Sequence, residues 1–407
     1  MPGVHEGALA GIRVIELGQG VSAAYCAKLF ADYGADVIKV EPPETGDVAR
    51  AWGPFPQDIP HQEKSGLFFF LNTNKRSITL DLDTARGQEI LRQLVAQADV
   101  LIENTRPPRM HERGLGYESL AELNPKLVMI SITPFGQTGP YAKWKGYDLN
   151  AFHLTACGSR YCGRLGEAPL EHGTFSADFF GAYVAATWGL AAVLGREVAG
   201  GGQQLDVSCS EAIAALFVGS QNIGAYAQDG VFERRTGVGM PLAAPASIMP
   251  CKDGHVWMLA LETGQWQGLK RAMGNPAWSE VEMFDDMFVR GQNADVLYPL
   301  IEEWSREHTK QEIMDRCQEN GCPTTMVLTV DEVAEHPHLL ERGYLVDVTH
   351  PQMGVVRDLG APIRLSRSPG GPSVGAPLLG HHNAEVLGEL LGLSDGELDR
   401  LRADGVL

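Results

Sequence analysis

The sequence predicts an α/β fold: an open, mostly parallel, Rossmann-like sheet in a large domain, joined to a smaller α+β domain. Three observations lead there. Short apolar runs alternate with stretches of helical period through residues 13–133. The first two runs flank a single helical stretch, which requires a crossover and therefore a parallel, right-handed pair. The composition then loosens after about residue 221 and resumes as a hairpin-bearing segment.

Residues 13–17 (RVIEL) read as a short buried strand, followed by a Gly-Gln-Gly turn, a helix over 22–33 and a second strand over 35–41. A third strand is expected over 77–82. Asp83 is the expected N-cap of the following helix, which shows Ile90, Leu91, Leu94 and Ala98 on one face. Residues 100–102 and 127–133 continue the alternation. An almost wholly apolar helix follows in 173–189 (GTFSADFFGAYVAATWG), and 200–208 turn into another strand. Residues 234–239 (RRTGVG) are a candidate mobile loop, and 252–254 (KDG) a hairpin turn. The Pro/Gly-rich stretch 351–377 reads as an extended crossing segment. Two short helices close the chain, the last with a Ser394/Glu397 capping box. The expected division is a large α/β domain over 1–220, a linker and small domain over 221–340, and a return segment over 341–407 that completes the large domain.

A net charge of −18 argues against nucleic acid and anionic membrane as partners, so any phosphate must be held by local bases and helix ends. Seven cysteines, an odd number over 407 residues, argue against a disulfide framework. The spacings of His153, Cys157 and Cys162, and of Cys317 and Cys322, match no tight zinc signature, so no metal is expected. The start of the chain lacks a basic leader followed by a long apolar run. The apolar run 179–195 falls just short of the ~20 residues of a membrane span and is bracketed by Asp178 and Arg196. A cytoplasmic location is expected.

Two motifs bear on chemistry. Gly18-Gln19-Gly20-Val21-Ser22-Ala23 fits the dinucleotide-binding turn, with Glu41 placed for a ribose hydroxyl. That oxidoreductase reading is weakened by Lys39 beside the acid, by PPETGDVAR after it, and by the lack of a hydride-transfer pair. The second motif is Asp178, a lone carboxylate at the mouth of the apolar helix. It reads as a capping residue offsetting the helix dipole, or as a partly desolvated nucleophile.

Six collinear segments carry a resemblance: GADVIKVEPPETGDVAR, NKRSITLDL, ADVLIENTRP, GYDLNAF, SADFFGAYVAATWGLAAVLGREVAGGGQQLDVS and APLLGHHNAEVLGELLGL. In this order, and over residues 11–407, the chain resembles the family III CoA-transferases of the CaiB/BaiF type. The resemblance implies that Asp178 is the nucleophile, passing through an acyl-aspartyl anhydride and an aspartyl-CoA thioester. It implies CoA or acyl-CoA as substrate, with no permanently bound cofactor. CoA contacts are implied at the Gly20, Val21 and Ser22 turn, at Lys75 and Asn104, and at Arg113, with Arg106 and Arg109 nearby. Asp47 and Arg50 are implied as organisers of a loop. An interlocked homodimer is implied as well. The chain departs from the family pattern at Glu41-Pro42-Pro43, which lacks an Arg some members carry, and at Thr105, where many carry Phe. The racemases of the same superfamily carry His where Tyr147 stands, so a 2-methylacyl-CoA racemase is the alternative, with His153 as a substitute base. Gly237–Gly239 are a candidate oxyanion loop. Phe179, Phe180 and Trp144 suggest an apolar or aromatic acyl group.

Overall fold

The computed structural model describes residues 7–164, 166–218, 223–231 and 243–407. The expectations for residues 234–239, the glycines at 237 and 239 included, lie outside the described residues. Backbone contacts divide the chain into two compact units. The first comprises Met1–Gly158, Glu171–Phe232 and His338–Leu407, the second Ser159–Leu170 and Glu233–Pro337.

The first unit is built on a six-stranded sheet: β1 (Arg13–Leu17), β2 (Asp36–Glu41), β3 (Arg76–Thr79), β4 (Val100–Glu103), β5 (Val128–Thr133) and β6 (Gln204–Ser208). The strands lie in the order β3-β2-β1-β4-β5-β6 and every pairing is parallel. Sheet order reverses between β1 and β4, the switch point where open α/β sheets leave a crevice beyond their carboxyl ends. Both faces are covered, so β4 and β5 are buried at every residue and read as continuous apolar runs rather than alternating ones.

Helix α1 (Ser22–Ala31) follows β1 and packs closely because Ala23, Ala24 and Ala27 carry small side chains with no exposure. A Cβ on Gly18 would stand 2.1 Å from the Cβ of Ala23, so only glycine lets the turn fold onto the helix. Several boundaries differ from expectation, two of them for a reason visible in the hydrogen bonds. Strand β3 ends at Thr79, because Asp81 N–H instead pairs with the carbonyl of Val406. The cap of helix α2 (Ala85–Val95) is Thr84, whose hydroxyl accepts from Gly87 N–H, in place of Asp83. Later in the unit come α3 (Asp148–Leu154), α4 (Ser176–Ala199) and α5 (Cys209–Ile213).

Helix α4 runs 24 residues and buries one narrow side, including Ala177, Gly181, Ala182, Ala185 and Gly189. A Cβ on Gly189 would meet Ile130 Cδ1 at 2.3 Å, which shows how closely α4 lies on β5. By length and composition it could cross a membrane, but 44% of its most apolar window is packed inside the protein. Its outward side carries Tyr183, Trp188, Leu194 and Val198, all exposed.

The return of the chain begins with an antiparallel hairpin of β10 (Leu345–His350) and β11 (Gly354–Leu359). The stretch from 351 is thus not extended throughout, because its first residues turn the hairpin. The last helix, Asp395–Ala403, has the Ser394/Glu397 capping box. Leu387, Leu398 and Leu401 join the core formed by Ile78, Leu91 and Leu101.

The second unit holds an antiparallel sheet of β7 (Ala246–Cys251), β8 (Gly254–Leu259) and β9 (Thr324–Val327), with the hairpin turn at 252–253. Its core gathers Met258, Trp266, Leu297, Ile301, Ile313 and Cys317.

Candidate active site

Helix α4 opens at Phe175, whose side chain makes no capping hydrogen bond, and Asp178 stands in its first turn. The capping role suggested for Asp178 is filled from another element. The carboxylate of Asp148, the first residue of α3, accepts from Asp178 N–H at 3.0 Å through Oδ1. Asp178 is therefore held at its backbone, and its side chain is left for other work. Its Oδ1 lies 3.9 Å from the Cys209 thiol at the start of α5.

This carboxyl is pushed up to about 7, first by burial and then by the like charge of Asp148, against a smaller lowering from Cys209. Burial also raises Asp148, while the N–H groups of Asp178 and Ala177 draw it back. The Asp148 carboxyl on the neighbouring helix end thus disfavours the charge of Asp178. An Asp raised to near neutrality at a helix N-terminus marks a candidate for chemistry.

The aromatic ring of Trp52 ties this helix end to the turn after β1. It stacks on Phe175 at 5.5 Å with 9° between planes. It also lies over Gly20, where φ is +74° and a Cβ would come within 3.3 Å of the ring. Asn104, just after β4, staples the same turn. Its Oδ1 accepts from Gln19 N–H at 2.9 Å, and its Nδ2 donates to the Gln19 carbonyl at 2.7 Å and to Ser22 Oγ at 3.1 Å.

Beneath the turn lies a buried charge network. Glu16 pairs with Lys39 at 2.6 Å and with Lys75 at 2.8 Å, and Lys39 reaches Asp47 at 2.7 Å. Asp47 in turn accepts from Gly20 N–H at 2.8 Å. Burial lowers Lys75 to about 8 against the raising effect of Glu16, and the like charge of Lys39 adds to the lowering, whereas Lys39 is raised because Asp47 and Glu16 together outweigh its burial. Glu41 is equally interior: both oxygens are taken by Arg50, at 2.7 and 2.9 Å, and one also by Ser77. The acid suggested for a ribose hydroxyl is therefore committed to the fold, and the oxidoreductase reading loses its second element.

A cavity of about 330 Å³ opens at the switch point. Gln19, Leu80, Asn104, Thr105, Arg109 and Arg113 are among its lining residues. Of the expected CoA contacts, Asn104 and Arg113 reach this cavity. Gly20, Val21, Ser22 and Lys75 are buried. The N–H of Gly20 is given to Asp47, and the ammonium of Lys75 to Glu16, Asn72 and the Ala24 carbonyl. Arg113 pairs with exposed Asp83, and Arg109 approaches the same carboxylate at 3.4 Å.

Other expectations also move. Phe179 packs edge-on to Tyr25 at 4.8 Å, and Trp144 stacks on Tyr141 at 4.1 Å, so their packing supplies no argument for an aromatic acyl group. Tyr147 is 74% exposed and its N–H donates to Asn150 Oδ1, which starts α3. Among the described residues, no cluster of three His, Cys, Asp or Glu side chains could hold a metal ion.

Sequence reasoning missed Trp52, Asp148, Phe175 and Cys209. Asp148 sits inside the quoted segment GYDLNAF, and that was its one signal. Cys209 had none, because 31 residues separate it from the carboxylate it touches. Glu103, buried at the end of β4 and raised to about 7 by burial, was likewise unmarked.

The comparisons agree with this architecture. Residues 9–383 match the family model described as CoA-transferase family III. The succinyl-CoA–D-citramalate CoA-transferase of Chloroflexus aurantiacus is 35% identical over 97% of this chain and 97% of its own. The succinate–glutarate CoA-transferase of Agrobacterium fabrum is 34% identical over 94% and 95%. A CaiB/BaiF family protein from Brucella suis, of known crystal structure, superimposes with a TM-score of 0.83 at 31% identity, covering 94% of this chain and 99% of that one. With the family model spanning most of the sequence and relatives above 30% identity along nearly its full length, the chain belongs to CoA-transferase family III and is a transferase.

Proposed function

We propose that the protein moves CoA from an acyl-CoA thioester to a free carboxylic acid, with Asp178 as the nucleophile. One observation carries this reading. The Asp178 carboxyl stands at the mouth of α4 with its backbone N–H capped by Asp148, so its oxygens are not spent on the helix.

The steps balance without an added reactant. An Asp178 oxygen attacks the thioester carbonyl, the C–S bond breaks, and an acyl-aspartyl anhydride and CoA thiolate result. The thiolate attacks the aspartyl carbonyl, releasing the donor carboxylate and leaving an aspartyl-CoA thioester. The acceptor carboxylate then attacks that thioester, breaking its C–S bond to give an acceptor-aspartyl anhydride, and the expelled thiolate attacks the acceptor's acyl carbonyl, forming the new CoA thioester and freeing the Asp178 carboxylate. A carboxyl raised to about 7 is a stronger nucleophile when ionised than an ordinary Asp, at the cost of being ionised only in part at neutral pH.

CoA is proposed to lie in the switch-point cavity, with Arg109 and Arg113 exchanging Asp83 for phosphate oxygens. Asn104 shapes the wall. Lys75, with Gly20, Val21 and Ser22, supports the turn from behind. Short dicarboxylic acids are the proposed substrate class, because the relatives' names specify succinyl-CoA, D-citramalate, succinate and glutarate. The apolar side of α4 is proposed to be covered by a second copy of the chain. Seven free cysteines fit a location in the cytoplasm.

The test is Asp178→Asn, which keeps shape and removes the nucleophile. Transfer from succinyl-CoA to a dicarboxylate should fall by about a thousandfold or more. Hydroxylamine added during turnover should mark the Asp178 peptide of the wild type, as peptide mass spectrometry reads. An active Asn variant, or an unmarked wild-type peptide during turnover, overturns the proposal. Solvent deuterium entering the α-carbon of the acyl group would favour the racemase instead.

A further inference from the structure

Ser208 Oγ caps α5 by accepting from Glu211 N–H, and this places Cys209 as the first residue of that helix. Cys209 is 1% exposed. Its sulfur has room because residue 181 of α4 is glycine: a Cβ there would stand 2.7 Å from Cys209 Sγ and 3.4 Å from its Cα. A glycine inside a helix sacrifices stability that alanine would keep. Here it lets α4 settle on α5 so that the thiol meets the Asp178 carboxylate one turn earlier on the same helix.

We propose that Cys209 is a positioning residue for the transfer, its thiol holding Oδ1 of Asp178 so that Oδ2 is the oxygen presented to the thioester. This rests on the nucleophilic role proposed for Asp178. The proton stays on sulfur throughout and no bond to sulfur forms. Burial and the facing carboxyls push the thiol well above its ordinary value, so it remains a donor at every working pH. A thiol is a weak donor. It orients the carboxylate while withdrawing little of its charge, which a hydroxyl at the same place would withdraw more strongly.

Other ionisable groups lie on the elements packed around this contact. Asp148 of α3 opposes the Asp178 charge, and Glu171 and His172 act on Asp148. His153 of α3 lies edge-on to Phe152. Lys28 of α1 is paired with Asp32, and Tyr25 of α1 is bonded to Tyr183. Asp206 of β6 accepts from Gln137 N–H, and Glu211 lies beyond Cys209 on α5 and is exposed. None of these donates to Asp178 as Cys209 does.

The experiment compares Cys209→Ala and Cys209→Ser with the wild type in the full-length protein. It reads the pH profile of kcat/KM for succinyl-CoA with a dicarboxylate acceptor, scaled by the fraction of chains that hydroxylamine marks at Asp178. The scaling removes any loss due to misfolding. Cys209→Ala should move the acid limb to higher pH and lower the plateau about fivefold, the worth of one modest hydrogen bond. Cys209→Ser should bring the limb back to or below the wild-type position, with a plateau still short of wild type because a stronger donor weakens the nucleophile. Superimposable profiles for all three proteins, or a Ser variant displaced like the Ala variant, overturn the inference. Failure of the underlying reading is distinguishable, since the wild-type Asp178 peptide would then stay unmarked.

Discussion

Asp178 and Asp148 divide two tasks that one aspartate at a helix mouth would otherwise have to share. Asp148 closes the N-terminus of α4, and Asp178 keeps its carboxyl for chemistry. The arrangement has an electrostatic consequence, because the Asp148 charge helps to raise Asp178. The sign follows directly: a raised carboxyl is protonated and inert below about 7 and becomes nucleophilic as pH rises through that value. Activity should therefore climb with pH through the neutral range, not near pH 4. In Asp148→Asn the amide oxygen can still accept from Asp178 N–H while the charge is gone. The acid limb of kcat/KM should move to lower pH by about one unit. An unmoved limb in a folded Asp148→Asn protein would show that burial alone sets the Asp178 titration.

At the scale of elements, the buried arginine of the second unit shows how irregular segments are held without strands. Arg290 has no exposed surface, yet its guanidinium donates to the carbonyls of Ala244, Ala260, Leu261, Phe284 and Asp285 and lies over the ring of Trp266. Burial lowers it, and Asp286 and Asp285 oppose that. The planar fork is what reaches carbonyls on separate loops; an ammonium cannot. Arg290→Lys should leave several of those carbonyls unpaired and cost about 2–4 kcal/mol. Urea unfolding followed by tryptophan fluorescence checks this, and a change in midpoint too small to resolve would contradict it.

For the whole molecule, the outward side of α4 sets the clearest expectation. Trp188, Leu194 and Val198 are 64, 76 and 95% exposed on one helix of a chain with net charge −18. So apolar a stripe on so charged a chain asks for cover. A second copy is the proposed occupant, and sedimentation should give twice the mass of the 44.1 kDa chain. Trp188→Glu with Leu194→Glu should reduce that mass to one chain's. A wild-type monomer at micromolar concentration would reject the homodimer. It would point instead to a distinct partner subunit, as the alpha and beta subunit names of two Chloroflexus aurantiacus relatives suggest for those proteins.

By itself the sequence determined the parallel strands, the apolar helix, read over 173–189 and found over 176–199, the hairpin turn at KDG and the family. These are local: an apolar run, a helical period or a turn is written in neighbouring residues. Local signals also set the limits, and so β3 ends three residues before its expected end and the cap of α2 falls one residue later than expected. Tertiary structure alone decided which charges are spent. Lys75 and Glu41 looked like ligand contacts in the sequence and proved to be partners of Glu16 and Arg50 in the interior. It alone brought Asp148 and Cys209 to Asp178 across 30 and 31 residues. The physical reason is common to both: where a side chain's charge or hydrogen bond goes depends on which elements pack together, and no periodicity along the chain records that.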